Sequence, residues 1–201
     1  MTSNPVYGNA DEFDWRAYLV KHEELLKTGA GRRAACKLDP LLFALVYLRH
    51  HLRHPTTEDI GLAQLHLDMA ARARQWARKD LDERELRDSW VAWRGAGKST
   101  WAFLILPAWA LCHRHRLYAI AYAHNSKQTE QHLDTFRNEI TSNPLLAKDH
   151  PSFVRAAKKF SGVTIADNRG MFVSGNGTLF QAKGIDSSSL GAKFGETRPD
   201  L

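Results

Sequence analysis

Ala92-Trp93-Arg94-Gly95-Ala96-Gly97-Lys98-Ser99-Thr100 is the stretch on which the reading of this sequence turns. It closes on Gly-Lys-Ser, as the phosphate-cradling pattern G-x-x-x-x-G-K-[ST] does, but alanine stands where that pattern has its first glycine. A loop of this kind has three chemical requirements. Backbone N–H groups must converge on an anion, an ammonium group must reach the outer phosphates, and a hydroxyl must hold Mg²⁺. Gly95, Ala96 and Gly97 are small enough for the first, Lys98 suits the second and Ser99 the third. Ala92 is tolerable at its position, because only a positive φ there would penalise its Cβ.

The flanks suit the motif. Residues 89–93 (SWVAW) are few, β-favouring and nearly apolar, which predicts a buried strand leading into the loop. A helix is predicted from about 98 to 111, and residues 117–123 (LYAIAYA) predict a second buried strand. Arg94 lies three residues before Gly97, inside the loop. A planar cation there either stabilises charge during phosphoryl transfer, as an arginine supplied in cis does, or pairs with a nearby acid. The sequence leaves both roles open.

Composition sets the wider bounds. The chain has 201 residues, 43% apolar and 25% charged, which is a globular balance rather than a disordered one. Lys and Arg number 28 against 22 Asp and Glu, a net +6 that is compatible with a polyanionic partner such as nucleic acid. Cys36 and Cys112 form no C-x-x-C pair, so reduced thiols are expected and a zinc or disulfide framework is not. His50, His51 and His54 cluster, and His113 lies near His115, but no cysteine or carboxylate pattern completes a ligand set. Solvated or capping histidines are the expectation. The N-terminus lacks the basic and apolar regions of a signal peptide. The longest apolar run, residues 101–112, holds Pro107 and is too short for a membrane span, so a buried helix is expected.

Along the chain, residues 1–10 read as a loose tail and residues 11–27 as a helix capped by Asp11. The segment 28–33 (TGAGRR) reads as a flexible break. Asp39-Pro40 starts a very apolar helix that Pro55 ends. Thr56 or Thr57 caps a third helix over about 58–79. Leu62, Leu65, Met69 and Trp76 form its stripe, and its Arg72, Arg74, Arg78 and Lys79 make either a solvated or a DNA-contacting face. Asn125 and Gln128 predict a capped helix with Leu133, Phe136 and Ile140 on one side, closed by Asn143-Pro144. Residues 145–162 read as irregular. Short strands are predicted at 163–166, 171–174 and 178–182, with a tight Asn-Gly turn between the last two.

Taken in order, these blocks resemble the large terminase subunit of tailed bacteriophages, the ATP-driven motor that packages DNA. DPLLFALVYL (39–48) resembles the family's helical lead-in. WVAWRGAGKSTW (90–101) resembles its deviant Walker A with arginine in the loop. Residues 117–146 resemble the strand and helix that follow, and GIDSSSLGAKFGETRPDL (184–201) resembles the run into Walker B. The resemblance implies an α/β fold of the P-loop NTPase, RecA-like kind, with a partial parallel sheet. An N-terminal helical lead-in would occupy residues 1–87, and the ATPase core residues 88–201. It implies ATP and Mg²⁺ as ligands, with nucleotide contacts at Arg94, Gly95, Ala96, Gly97, Lys98, Ser99 and Thr100. Lys98 and the candidate cis arginine Arg94 would be catalytic, and Ser99 would hold the Mg²⁺ of the nucleotide. It implies double-stranded DNA, the small terminase subunit and the portal as partners, a ring of copies as the acting motor, and the host cytoplasm, not a membrane, as location.

In that family an apolar strand ending in two acids follows the RPDL-like run. Asp200 does not fit that role, because Glu196-Thr197-Arg198-Pro199 before it is no apolar strand. The expectation is therefore nucleotide binding with little or no hydrolysis, and a sheet lacking the strand between residues 90–93 and 117–123. The competing functions are a non-catalytic nucleotide-binding module and, further off, a small-molecule P-loop kinase.

Overall fold

A computed structural model describes residues 6–54, 59–78, 88–165, 167–168, 170–185, 193–194 and 196–201. The chain is mixed α/β and packs as two compact units, Met1–Trp109 and Ala110–Leu201. Among the described residues no helix is long and apolar enough to cross a membrane.

The first unit is helical. After a 3-10 turn at Ala10–Glu12 come α1 (Trp15–Lys21), α2 (Glu23–Leu26), α3 (Gly29–Cys36), α4 (Pro40–Tyr47) and α5 (Gln64–Ala73). Asp14, not Asp11, caps α1 by accepting from the Arg16 and Ala17 amides. The expected break at 28–33 is instead the start of α3. Thr28 caps it through the Gly31 amide, and a Cβ at Gly31 would lie 2.0 Å from the Leu25 carbonyl oxygen. Glycine is required there for close approach of two backbones rather than for freedom.

α4 is apolar all round and buried all round, from Leu41 to Leu45. Its cap, Asp39, accepts from the Leu42 amide (2.9 Å) and from the Tyr7 hydroxyl (2.8 Å), and the Tyr18 hydroxyl bonds its other oxygen. Burial, and then the neighbouring Asp39 charge, push both phenols well above their ordinary range. Pro55, Thr56, Thr57 and Lys79 lie outside the described residues. α5 begins at Gln64, later than expected.

A helical run from 98 to 112 follows the loop: α6 (Lys98–Thr100), a π turn (Trp101–Ile105) and α7 (Leu106–Cys112). Pro107 accounts for the π turn. It has no N–H and crowds the carbonyl four residues back, so the ladder opens and the Leu106 amide bonds the Trp101 carbonyl. The division between units falls inside α7, not at residue 87. Residues 88–109 belong with the first unit because side chains tie them there: Asp88 pairs with Arg72 (2.8 Å), His66 bonds Ala96, and the Trp109 indole donates to the Cys36 carbonyl (2.9 Å).

The second unit carries a four-stranded sheet in the order β1-β4-β3-β2: β1 (Tyr118–Ala123), β2 (Asp167–Asn168), β3 (Met171–Val173) and β4 (Leu179–Gly184). The helices here are α8 (Ser126–Ser142), α9 (Pro144–Asp149) and α10 (Pro151–Val154), the last two lying where an irregular segment was expected. β2, β3 and β4 form an antiparallel meander, and β4 then runs parallel to β1. Asn125 caps α8 through the Gln128 amide (2.9 Å), and Leu133, Phe136 and Ile140 are buried, as the spacing predicts. Phe136 meets Phe180, Phe172 and Phe153 edge-on. Phe172 faces Phe180 across the ladder, which puts both rings on one side of the sheet. The other side holds Tyr118, Val173 and Leu179. Of the strand expected at 163–166, the described residues 163–165 carry an isolated bridge at Thr164.

The second edge of β1 is also engaged. The Leu201 carbonyl accepts from the Ile120 amide (2.9 Å) and its own amide donates to the Tyr118 carbonyl (3.3 Å), the pattern of one parallel pairing. The Asp200 carboxylate takes the Leu117 and Tyr118 amides at 2.7–3.0 Å.

Candidate functional site

The strand predicted before the loop does not form. Residues 89–93 carry no ladder, Val91 is 93% exposed and Trp93 71%. A strand exists only where another strand accepts its hydrogen bonds, and among the described residues of the first unit no strand is present. Asp88, held by Arg72 of α5, fixes the start of this segment instead.

The loop itself is shaped by its glycines. Gly95 (φ +87°) and Gly97 (φ +71°) are left-handed, a conformation that L side chains rarely adopt. Gly97 is the residue that opens α6, and no side chain caps it. The first helical turn therefore presents N–H groups at Lys98, Ser99 and Thr100 with no acceptor inside the helix. These amides, with the positive end of the helix dipole, attract an anion. The Lys98 ammonium folds back to the Ala92 carbonyl at 3.2 Å, across the loop it would serve. Arg94, Gly95 and Ser99 are exposed, Lys98 and Thr100 are partly buried, and Ala96 is buried. Arg94 takes part in none of the ion pairs among the described residues.

His66 is the residue that sequence reading missed. Its Nδ1 accepts from the Ala63 amide (3.1 Å), so Nε2 carries the proton and donates to the Ala96 carbonyl at 2.7 Å. Its ring stacks on Trp101, centroids 5.4 Å apart and 10° from parallel. A Cβ on Gly97 would approach His66 Nε2 to 3.2 Å. One buried side chain thus fixes both the carbonyl at the loop's centre and the room beside its second glycine. Burial depresses the basicity of the ring, and the bond to Ala96 opposes this only in part. Nothing in the sequence pointed to it, because a helix expected to start near residue 58 puts His66 in its interior, whereas the observed start at Gln64 makes it the third residue, whose ring reaches back to the cap amide.

A cleft of about 410 Å³ opens beside the loop, lined among others by Arg53, Leu62, Trp93, Gly95, Thr100 and Trp101. Its lining joins apolar side chains to the Arg53 guanidinium and to the imidazoles of His51, His54 and His66. The donor set at 94–100 fits a polyphosphate carrying Mg²⁺: small loop residues, open helix amides, one ammonium and an exposed hydroxyl. Comparison of the chain with protein-family models, with curated proteins and with solved structures returned no match.

Proposed function

We propose that this chain binds ATP with Mg²⁺ through residues 94–100 and forms the ATP-binding part of a DNA-packaging motor of the large terminase type. The observation that carries the binding reading is the left-handed pair Gly95 and Gly97 opening a helix whose first amides lack intrahelical acceptors, with Lys98 beside them. In this reading the amides around 95–98 hold the phosphates and Lys98 leaves the Ala92 carbonyl for the outer phosphate. Ser99 holds the metal, and Arg94 reaches charge that develops on transfer. Trp93, 71% exposed beside the loop, offers the base a flat apolar face. The motor assignment rests on the order of sequence blocks. With it come double-stranded DNA, the small subunit and the portal as partners, and a ring of copies as the working form.

A second reading, nucleotide binding without turnover, is favoured by one observation. Asp200, which follows the RPDL-like run, spends both carboxylate oxygens on the Leu117 and Tyr118 amides. An acid so engaged anchors β1 rather than orienting a metal or a water.

Phosphate release from ATP and Mg²⁺ separates the readings when measured on the full chain and on Lys98→Ala, with and without linear double-stranded DNA. Release that DNA stimulates and Lys98→Ala abolishes supports the motor. Binding without release supports the second reading. Phosphate transfer to added nucleosides or sugars would replace both with a small-molecule kinase.

A further inference from the structure

We propose that Cys112, His113 and His150 form a binding site for one Zn²⁺-class cation in the second unit. A sulfur and two imidazole nitrogens, one from each residue, lie within 4.8 Å of one another. Thiolate and imidazole together are the donor set that Zn²⁺ and Co²⁺ prefer. The sequence hides the set, because Cys112 and His113 end one helix and His150 follows 37 positions after His113.

The backbone brings these residues together from two helix ends. Cys112 is the last residue of α7, and His113 begins the turn that stops it. That turn is closed by the His115 amide on the Ala110 carbonyl (2.8 Å) and the Arg114 amide on the Leu111 carbonyl (3.2 Å). It requires a left-handed residue, and Arg114 (φ +58°) takes that conformation without being glycine. His150 sits at the junction of α9 and α10, ahead of Pro151, with its amide on the Leu146 carbonyl (2.7 Å). The rings of His113 and His150 meet edge-on at 5.1 Å.

One hairpin turn holds both ends. Between β3 and β4, the Asn176 amide group donates to the Leu111 carbonyl (3.0 Å), fixing the close of α7. Two residues earlier, the Ser174 hydroxyl donates to the Phe153 carbonyl (2.6 Å), and the Gly175 amide donates to the Arg155 carbonyl (2.7 Å), fixing α10. A Cβ at Gly175 would lie 2.9 Å from the Ser152 carbonyl oxygen, so the turn and α10 are in direct backbone contact. The three donors therefore stand on a scaffold built before any ion arrives. Cys112 and His150 are buried and His113 is half-buried, which leaves the cluster an approach from the His113 side.

Tetrahedral zinc, at about 2.3 Å from sulfur and about 2.0 Å from nitrogen, would draw the three donor atoms to roughly 3.5 Å of each other. Side-chain rotation supplies that contraction. Binding exchanges the thiol proton for the metal and releases the proton to solvent, with no change of oxidation state. The fourth position is left to water.

The test is a Co²⁺ titration of the full chain, kept reduced by a phosphine and followed by Zn²⁺ displacement. The expected result is one equivalent bound, a near-ultraviolet thiolate-to-cobalt charge-transfer band, tetrahedral visible bands, and loss of both on adding Zn²⁺. Cys112→Ser should erase the charge-transfer band. His113→Gln, at a half-buried position, should keep the far-ultraviolet circular dichroism and weaken binding at least about tenfold; it decides the question if Cys112→Ser does not fold. His50→Gln with His51→Gln should leave the titration unchanged. Absence of stoichiometric binding, a charge-transfer band that survives Cys112→Ser, or unaltered affinity in His113→Gln would overturn the site.

Discussion

Residues 89–93 and β1 are both short, extended and rich in apolar side chains, yet they lie in opposite environments. Val91 and Trp93 face solvent, whereas Tyr118, Ala119 and Ala121 are buried. The difference is made by partners. β1 has β4 along one edge and the Leu201 backbone beside Tyr118 and Ile120 on the other, so backbone groups on both edges find partners. Residues 89–93 have no ladder and are held at their start by the Arg72–Asp88 pair. A strand is a property of two segments, and apolar composition alone does not supply the second.

The covered face of the β1 sheet depends most on Phe136. It lies fully buried against three phenylalanines, and Phe136→Ala should cost about 3–5 kcal/mol in the second unit. Chemical denaturation measures this, and a change under about 1 kcal/mol would mean that the aromatic cluster does not support the sheet. Next in size is Asp200→Ala. It leaves the Leu117 and Tyr118 amides without their charged acceptor and should cost about 1–3 kcal/mol. Hydrogen exchange at those two amides should quicken; unchanged protection would show that the carboxylate is not their acceptor in solution.

The loop side gives smaller effects. His66→Phe keeps a ring against Trp101 but loses both hydrogen bonds, for about 1 kcal/mol. It should also remove a pH dependence. Burial holds the folded His66 below its ordinary pKa, so on acidification the unfolded chain takes up the proton first. The stability His66 contributes is thus complete above about pH 6.5 and declines as the pH falls toward the lower folded value. Equal slopes of stability against pH in wild type and His66→Phe would contradict the lowered basicity of the buried ring. The smallest effect belongs to Val91→Asp. In a buried strand it would cost several kcal/mol, whereas at an exposed position the expected change is within about 0.5 kcal/mol.

Much of this was legible because it is local. Asn125 with Gln128, the spacing of Leu133, Phe136 and Ile140, and the Asn-Gly turn between β3 and β4 each name their structure within a few residues. The apolar circumference of α4 announced its burial. What stayed hidden was long-range. The parallel pairing of β1 with β4 joins residues 61 apart in register. His66 reaches the loop across thirty residues of chain. The misread glycine at 31 had the same cause, since its reason is a backbone carbonyl on the neighbouring helix. In the loop the glycine turn at Gly95 and Gly97 and the helix start near Lys98 were legible, but not the segment before them, because glycines mark a turn and not the partner that a strand needs.

The proposed polyphosphate cradle at residues 94–100 is tested most directly by isothermal calorimetry of ATP with Mg²⁺. The full chain should bind one equivalent, and Lys98→Ala, with unchanged circular dichroism, should bind at least about tenfold more weakly, the loss of one charge-assisted contact. No heat with the folded wild type, or equal affinity in Lys98→Ala, would contradict it.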